Sequence, residues 1–365
     1  MKKGGVAVEP VRFAILGGGW RSEFYTRVAN AAPDLFQIRA VWIHNPEKAV
    51  RYHQKYNVPV VTQYEDLLKL NVDFYVLCLP WEENMEYSRR LIERGYPLLT
   101  ETPPAPTVRA LNEFWNFCIS HAAKIQIAEE YHWQPYHAAV IRLVRDGLIG
   151  APTHMSVSMM HGYHCMNIAR QMLGLGMERA VVSGKRYTRK IAQTCDRTGE
   201  YQEHAILETT QDRVTLEFEG GKTLFYDFSN EQYFSLLRSG YLWLCGEQGE
   251  VMNRTVRFLN GSGDCMAEEL RRVDLGQYGN LQGYSHRGIQ FCGKWLYENP
   301  FPGLSLTDDE LAVAAALQET KRYLTTGKQS YTLRDACQDT YLSFVMQEAI
   351  ETGCEIETKK QSWNG

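Results

Sequence analysis

The chain has 365 residues, of which 44% are apolar and 22% charged, with a net charge of −4. That length favours two domains over one and provides for a sizeable core, while the slight acidity excludes the basic footprint of a nucleic-acid-binding protein and a polybasic membrane patch. No apolar run reaches the roughly 18–20 residues that cross a bilayer, Met1-Lys2-Lys3-Gly4-Gly5 has no signal-like apolar core, and nine cysteines without a C-x-x-C pair read as reduced thiols of a cytoplasmic protein.

The mostly apolar run Val11–Leu16 is predicted to be a buried strand. It ends at Gly17-Gly18-Gly19, and a helix-compatible run follows from Glu23. Gly17 and Gly19 fit the first two positions of G-x-G-x-x-G, and Ser22 takes the third. In that pattern the first glycine allows the sharp turn and the second lets backbone N–H groups approach a pyrophosphate. The third, small residue lets helix and strand pack closely. The place of the pattern, between a strand and a helix, is the context that makes it a dinucleotide-binding turn. Trp20 lies in that turn, and Arg21 is expected either to reach the pyrophosphate or to stay exposed at the helix start.

Strands are then expected over Leu35–Ile43, Val58–Val61, Val72–Leu79, Tyr96–Thr100 and Lys124–Ala128. Helices are expected from Asn45-Pro46 to about Tyr56, and over Tyr64–Leu70, Glu83–Arg94 and Val108–Ser120. Strands alternating with helices mean an α/β fold with a doubly wound parallel sheet, whose ligands sit at the carboxyl ends of the strands.

The ordered set of pieces resembles the glucose-fructose oxidoreductase/inositol dehydrogenase (Gfo/Idh/MocA) family of sugar oxidoreductases. It is carried by the glycine turn, Tyr64-Glu65-Asp66-Leu67-Leu68, Val72-Asp73 leading to Leu79-Pro80, and Gly95-Tyr96-Pro97-Leu98-Leu99-Thr100-Glu101-Thr102-Pro103. Gly147-Leu148-Ile149-Gly150 continues it. The resemblance implies an N-terminal Rossmann domain over 1–130 and an α+β domain for substrate and oligomerisation over 131–365, its last helices packing back on both. It also implies NAD or NADP as cofactor, lined by Leu79, Pro80, Trp81, Asn84, Glu101, Thr102 and Pro103.

The departures from the family pattern bear on chemistry. Thr102 stands where the family has a lysine beside the nicotinamide, and a threonine neither carries positive charge nor acts as a base near neutral pH. The ribose-binding acid after the second strand is replaced by Ile43, followed by His44 and Asn45, which leave NAD and NADP undecided. Asn84 replaces a histidine, and Glu130 and His132 replace an asparagine–arginine pair. Glu130 and His132 are either a structural hydrogen-bonded pair or a new acid/base pair.

From Pro152 the pattern changes to strand-like runs at Thr153–Met160, Ala180–Tyr187, His204–Thr210, Val214–Glu219, Thr223–Phe228, Leu242–Gly246 and Val256–Leu259. Gly220-Gly221 is a hairpin signal, and Val214, Leu216 and Phe218 share one face of their strand. A mostly antiparallel open sheet with helices on one face is expected. Its other face is expected to be covered by a second copy of the chain, in a dimer or tetramer. Helices are predicted over Tyr163–Leu173, Tyr284–Glu298, Thr307–Thr325 and Leu333–Thr352, with a capping box at Thr307 and Glu310.

The resemblance places a catalytic histidine at the start of the helix near 163, and His164 fits it. Met160 and Asn167 stand where the family has acidic residues; Tyr163, Asn167 and His132 are candidate substrate contacts. A helix N-terminus favours neutral imidazole, so His164, with His161 or Glu130, is the candidate for taking a hydroxyl proton. The spacing of His154, His161 and His164 does not bring all three to one helix face, so no metal is expected. The leading function is an NAD(P)-dependent oxidoreductase acting on a sugar, cyclitol or related polyol. The alternatives are an oxidation–elimination enzyme of glycosidase type, and a non-catalytic member that senses sugar or cofactor or binds proteins.

Overall fold

The run beginning at Val11 forms strand β1 (Val11–Leu16). Phe13, Ala14, Ile15 and Leu16 are all fully buried, as a strand covered on both faces requires. The computed structural model describes residues 9–203, 205–276 and 283–364, so Met1–Gly5 and His204 lie outside the described residues. After β1 come α1 (Trp20–Ala31), β2 (Phe36–Trp42), α2 (Pro46–Tyr56), β3 (Val60–Val61), α3 (Tyr64–Leu68), β4 (Phe74–Leu77), α4 (Trp81–Glu93), β5 (Leu98–Thr100), α5 (Val108–Ser120) and β6 (Ile125–Ile127). These strands make one six-stranded sheet in the order β3-β2-β1-β4-β5-β6. Strand β1 pairs in parallel with both β2 and β4, so the order reverses beside it, where doubly wound sheets hold their ligands.

Helix α6 (Pro135–Arg145), which the sequence pattern did not single out, leads to β7 (Pro152–Ser158), α7 (Gly162–Leu173), β8 (Ala180–Ala192), β9 (Ile206–Phe218) and β10 (Thr223–Phe228). Then follow β11 (Tyr241–Gly246), β12 (Gly249–Met252), β13 (Thr255–Leu259), β14 (Cys265–Glu269), β15 (Arg271–Leu275), β16 (Ser285–Phe291) and β17 (Lys294–Glu298). The chain ends with α8 (Asp308–Thr326), α9 (Leu333–Thr352) and β18 (Ile356–Glu357). A nine-stranded sheet has the order β14-β13-β12-β11-β7-β10-β9-β8-β18. It is mostly antiparallel, with β7 and β10 running parallel.

The residues fall into two compact units. One holds the chain up to Pro135 with Val273–Arg287 and Asn299–Cys337; the other holds Tyr136–Arg272, Gly288–Glu298 and the residues from Gln338 onward. In the first, Phe13, Ile15, Tyr25, Val28, Phe74 and Val76 share a core with Leu311, Val313 and Leu317 of α8. Helix α8 begins with a capping box: the Glu310 amide donates to Thr307 Oγ1 at 3.2 Å, and the Thr307 amide to Glu310 Oε2 at 2.8 Å. Arg27 of α1 reaches back to Glu310 at 2.5 Å, and Lys321 to Asp73 at 2.6 Å.

Two expected elements are corrected. The runs at 204–210 and 214–219 are not two strands: β9 is continuous and pairs with β8 from Ala180↔Phe218 to Ala192↔Ile206. The polar triplet Gln211-Asp212-Arg213 reads as a break, but it sits on the ladder, where Asp212 meets Arg186 across the strands at 2.6 Å. The helix expected over Tyr284–Glu298 is the β16–β17 hairpin. Cys292 and Gly293 both take positive φ, 46° and 74°, which suits a two-residue turn. Gly288 approaches the opposite strand so closely that a Cβ there would stand 2.4 Å from the Tyr297 carbonyl oxygen. All nine cysteines are free thiols, and among the described residues no helix is long and apolar enough to cross a membrane.

Candidate functional site

Gly17 closes β1 with a φ of +104°, and a Cβ there would stand 2.4 Å from the Cys78 carbonyl oxygen beyond β4. Gly18 is hemmed in as closely by the Ile43 side chain. Gly17 is therefore required by the protein's own backbone packing, whereas at Gly18 the Ile43 side chain would have to give way. Gly19 differs. It is the N-cap of α1, no side chain caps the helix there, and nothing lies within 4 Å of where its Cβ would be. The Ser22 amide donates to the Gly19 carbonyl at 3.1 Å; the amides before it in the first turn of α1 have no intrahelical acceptors, and the turn opens on unfilled space. Ser22 is fully buried; its hydroxyl donates to the Gly19 carbonyl at 2.6 Å and accepts from Tyr52 at 3.1 Å. A larger residue at 22 would lift α1 from the sheet. Trp20 is more than half exposed and sits edge-on to Phe24, 5.6 Å between ring centres.

At the end of β2, Ile43 is buried against the glycine turn and His44 is exposed. The Asn45 side chain is committed to capping α2, accepting from the Lys48 amide at 2.9 Å. Beyond β4, Leu79 is half-buried, while Pro80 and Trp81 are exposed. Asn84 is buried and donates to Thr100 Oγ1 at 2.6 Å, tying α4 to β5. Beyond β5, Glu101 and Thr102 are half-buried, Pro103 is buried, and the Thr102–Pro103 peptide is cis.

The structure corrects the expectation for Arg21. The side chain is neither exposed nor aimed outward: it turns under α1 onto two carboxylates. Its Nε lies 3.0 Å from Glu101 Oε1, and its Nη2 pairs with Glu130. Tyr25, one turn along the same helix face, donates to the same Glu101 oxygen at 2.6 Å. Burial works against the guanidinium charge, but Glu101 and Tyr25 keep it firmly protonated. Burial, with help from Glu101, pushes the Tyr25 hydroxyl well above its ordinary range. Glu129, the neighbour of Glu130, is fully enclosed and accepts from the Tyr131 amide at 3.2 Å. Burial drives its carboxyl up to about 8; the Tyr131 amide and Arg21 pull against that shift, and Glu101 adds to it. His132 is buried, with its ring against Trp133 and Tyr331. Tyr25 and Glu129 were missed from the sequence. The available signal was the i, i+4 spacing of Arg21 and Tyr25, which places both on one helix face.

In the second unit, His161 is the N-cap of α7 and its backbone N–H donates to the Tyr233 hydroxyl at 3.0 Å. That hydroxyl also lies 2.8 Å from His161 Nδ1. The His164 ring centre is 4.7 Å from that of His161 and 4.4 Å from that of Tyr163. Burial, then the neighbouring His164 and Arg197, push the His161 imidazole down to about 3, so it is neutral at any physiological pH. Asn167 is buried one turn further along α7, and Met160 is buried before it. His154 stands apart, against Phe225 and Trp243. Among the described residues, no group of three or more His, Cys, Asp or Glu is placed to hold a metal.

These features fit a nicotinamide dinucleotide. The open, uncapped start of α1 suits a diphosphate, and the buried Gly17 and Ser22, with the half-buried Gly18 between them, hold the turn that presents it. Residues 11–131 match the model of a family described as an oxidoreductase family with an NAD-binding Rossmann fold. No curated protein sequence matches the chain. Among solved structures, the fold is shared with levoglucosan dehydrogenase in complex with NADH and levoglucosan, at a TM-score of 0.69 and 13% identity over 96% of this chain and 100% of that one. An oxidoreductase from Agrobacterium radiobacter, in complex with NAD+, L-tartaric acid and magnesium, gives 0.68 and 15% over 96% and 98%. A myo-inositol dehydrogenase from Corynebacterium glutamicum gives 0.65 and 16% over 96% and 99%. Residues 11–131 thus match the nucleotide-binding domain of the Gfo/Idh/MocA oxidoreductase family, and the likeness of the rest of the chain to these solved structures is one of fold.

Proposed function

We propose that this protein is an NAD(P)-dependent oxidoreductase acting on a hydroxyl or carbonyl of a sugar, cyclitol or related polyol. The observation that carries this reading is the open space at Gly19 over the uncapped start of α1. The substrate class is supported by the structural likeness to proteins solved with levoglucosan and L-tartaric acid. When bound, the nicotinamide accepts or supplies the hydride. The amides after Gly19 hold the diphosphate, and His44 meets the ribose beyond β2. Leu79, Pro80, Trp81, Asn84, Glu101, Thr102 and Pro103 wall the cofactor. His164 takes or returns the hydroxyl proton at a ring nitrogen; the neutral His161 beside it keeps a second positive charge away from that step. Glu130 is the alternative base, and Tyr163, Asn167 and His132 bind the remaining substrate hydroxyls. The outer face of the nine-stranded sheet, where Phe225 is 44% exposed beside His154 and Trp243, is the surface through which a dimer or tetramer forms.

Thr102 favours keeping a second reading, a protein that binds cofactor and sugar without turning them over. One screen separates the two. The purified protein is given NAD+ or NADP+ with a panel of sugars and cyclitols, and absorbance is followed at the reduced-nicotinamide band. Growth of that band with one substrate class supports the oxidoreductase. Cofactor binding with no absorbance change across the panel supports the sensor. Release of a glycosidic substituent without net cofactor reduction identifies oxidation followed by elimination.

A further inference from the structure

Helix α7 starts without a cap from its own N-cap side chain, that of His161. Two phenol oxygens from elsewhere take the place of that cap. The His161 amide donates to the Tyr233 hydroxyl at 3.0 Å, and the Gly162 amide to the Tyr226 hydroxyl at 3.4 Å. Tyr226 lies on β10, and Tyr233 ends the short turn Asn230–Tyr233 that follows it. That turn is tied to the end of β7, where Gln232 Nε2 donates to Ser158 Oγ at 2.9 Å. The Tyr233 ring stands edge-on to Phe228, 5.1 Å between ring centres. The Tyr233 hydroxyl is therefore delivered to the start of α7 by the neighbouring strands, not by α7 itself.

That hydroxyl has a second contact, His161 Nδ1 at 2.8 Å. The phenol oxygen already accepts from the backbone amide, so the arrangement that uses both groups best sends its own proton to Nδ1. A neutral imidazole that accepts at Nδ1 carries its proton at Nε2. Burial first, then His164 and Arg197, keep the ring neutral. Nε2 makes no hydrogen bond among the described residues, and the half-buried ring leaves it open to solvent. An N–H donor thus stands open beside His164, whose ring centre is 4.7 Å away.

We propose that Tyr233 is a positioning residue of the substrate site: it holds the His161 proton on Nε2, and from there His161 donates a neutral hydrogen bond to the substrate oxygen that gives its proton to His164. This rests on the reading of the chain as an oxidoreductase acting on a hydroxyl or carbonyl. As the hydroxyl proton passes to His164, negative charge grows on the oxygen, and a donor already aimed at it stabilises that charge. His161 itself neither gains nor loses a proton, so His164 takes one without a second cation beside it. In the opposite tautomer Nε2 would carry a lone pair and repel the same oxygen. Tyr233 touches no reacting atom; it acts through His161.

The test is NMR of protein labelled with 15N-histidine, in which two-bond 1H–15N correlations show which ring nitrogen holds the proton. The His161 signals are identified by their loss in His161→Gln. The expected wild-type result is a proton on Nε2 and a bare Nδ1. Tyr233→Phe keeps the ring against Phe228 and removes only the hydroxyl, so it should give a mixture of both tautomers. Wild-type His161 protonated on Nδ1, or a tautomer unchanged in Tyr233→Phe, would overturn the proposal while leaving the oxidoreductase reading intact. Kinetics with the substrate found by the sugar and cyclitol panel tests the donor. His161→Leu should lower kcat about 100-fold, the scale of one lost oxyanion donor, and His161→Gln, whose side-chain amide can replace the Nε2 donor, less than about tenfold. Tyr233→Phe should lower kcat about tenfold while the KM for cofactor changes less than about threefold. Equal losses in the Leu and Gln variants would overturn the donor role. No turnover by the wild type with any member of the panel would overturn the oxidoreductase reading itself, and this proposal with it.

Discussion

Tyr25 and Arg21 lie one turn apart on α1 and close on a single oxygen, Oε1 of Glu101, at 2.6 and 3.0 Å. The helix that presents its N-terminus to the cofactor is thereby fastened to the end of β5. Through the Arg21–Glu130 pair it is fastened to the segment after β6 as well.

That fastening makes Arg21 a stability residue before it is anything else. Removing the guanidinium leaves two largely buried carboxylates without their cation, which costs about 3–5 kcal/mol when a buried pair is broken. Arg21→Met is expected to lose stability of that order in urea unfolding, and Arg21→Lys clearly less. A Met variant as stable as wild type would show that the ion pairs contribute nothing net.

Gly17 gives a contrasting prediction on the other side of the turn. With φ at +104° and the Cys78 carbonyl only 2.4 Å from an added Cβ, Gly17→Ala must move β4 away from β1. A loss of roughly 1–3 kcal/mol or more is expected from the backbone strain alone. The thermal midpoint should fall by several degrees, whether or not cofactor is present. An unchanged midpoint would mean that the turn is laxer than its geometry implies.

On the proposed mechanism, His164 carries the proton step and the neutral His161 beside it supports that step. His164→Ala is expected to lower turnover by at least 100-fold while changing cofactor Kd by less than about threefold, in line with loss of a general base. His161, held down to about 3, should show no imidazole titration by NMR between about pH 5 and 9. A titration of His161 in that window would remove it as the neutral neighbour. Unchanged turnover in His164→Ala would pass the proton step to Glu130.

Glu129 sets a pH dependence of stability with a definite sign. Its carboxyl titrates near 8 when folded and near the ordinary carboxylate value of about 4.3 when unfolded, so the folded protein holds the extra proton between those limits. Stability from this group is greatest below about pH 4.3, falls as pH rises, and is lost above about 8. Glu129→Gln, which cannot ionise, should therefore gain several degrees in thermal midpoint over wild type at about pH 8.5 and little at about pH 5. Parallel midpoint-versus-pH curves for the two proteins would show that Glu129 is ionised in the fold.

Much of the first unit was legible because its signals are local. The helix ending at Ser120 and the strand at Val11–Leu16 fall where turn residues and apolar runs place them. Gly220 and Gly221 likewise take the positive φ that their hairpin needs. The errors came where long-range pairing overrides local pattern. The Gln211-Asp212-Arg213 triplet is polar enough to resemble a turn, yet it is held in β9 by its neighbours on β8. Residues 284–298 resemble a helix until the Cys292-Gly293 turn is recognised. At the candidate site, the glycine turn was readable because Gly17 and Ser22 are held to small residues by close packing, while Gly19 leaves the helix start open. The partnership of Arg21 with Glu101 and Glu130 was not, because residues 80 and 109 positions apart in the chain meet only through the strand order of the sheet.

The most direct test of the central claim is titration of the wild-type protein and its Gly19→Val variant with NAD+ and NADP+, followed by heat and by thermal midpoint. The valine has room in the empty protein and occupies the space over the start of α1. The expected result is a saturable heat and a raised midpoint for wild type with at least one nucleotide, and neither effect for a variant that unfolds at the same temperature as the unliganded wild type. A Gly19→Val protein that binds the nucleotide as tightly as wild type would contradict the account.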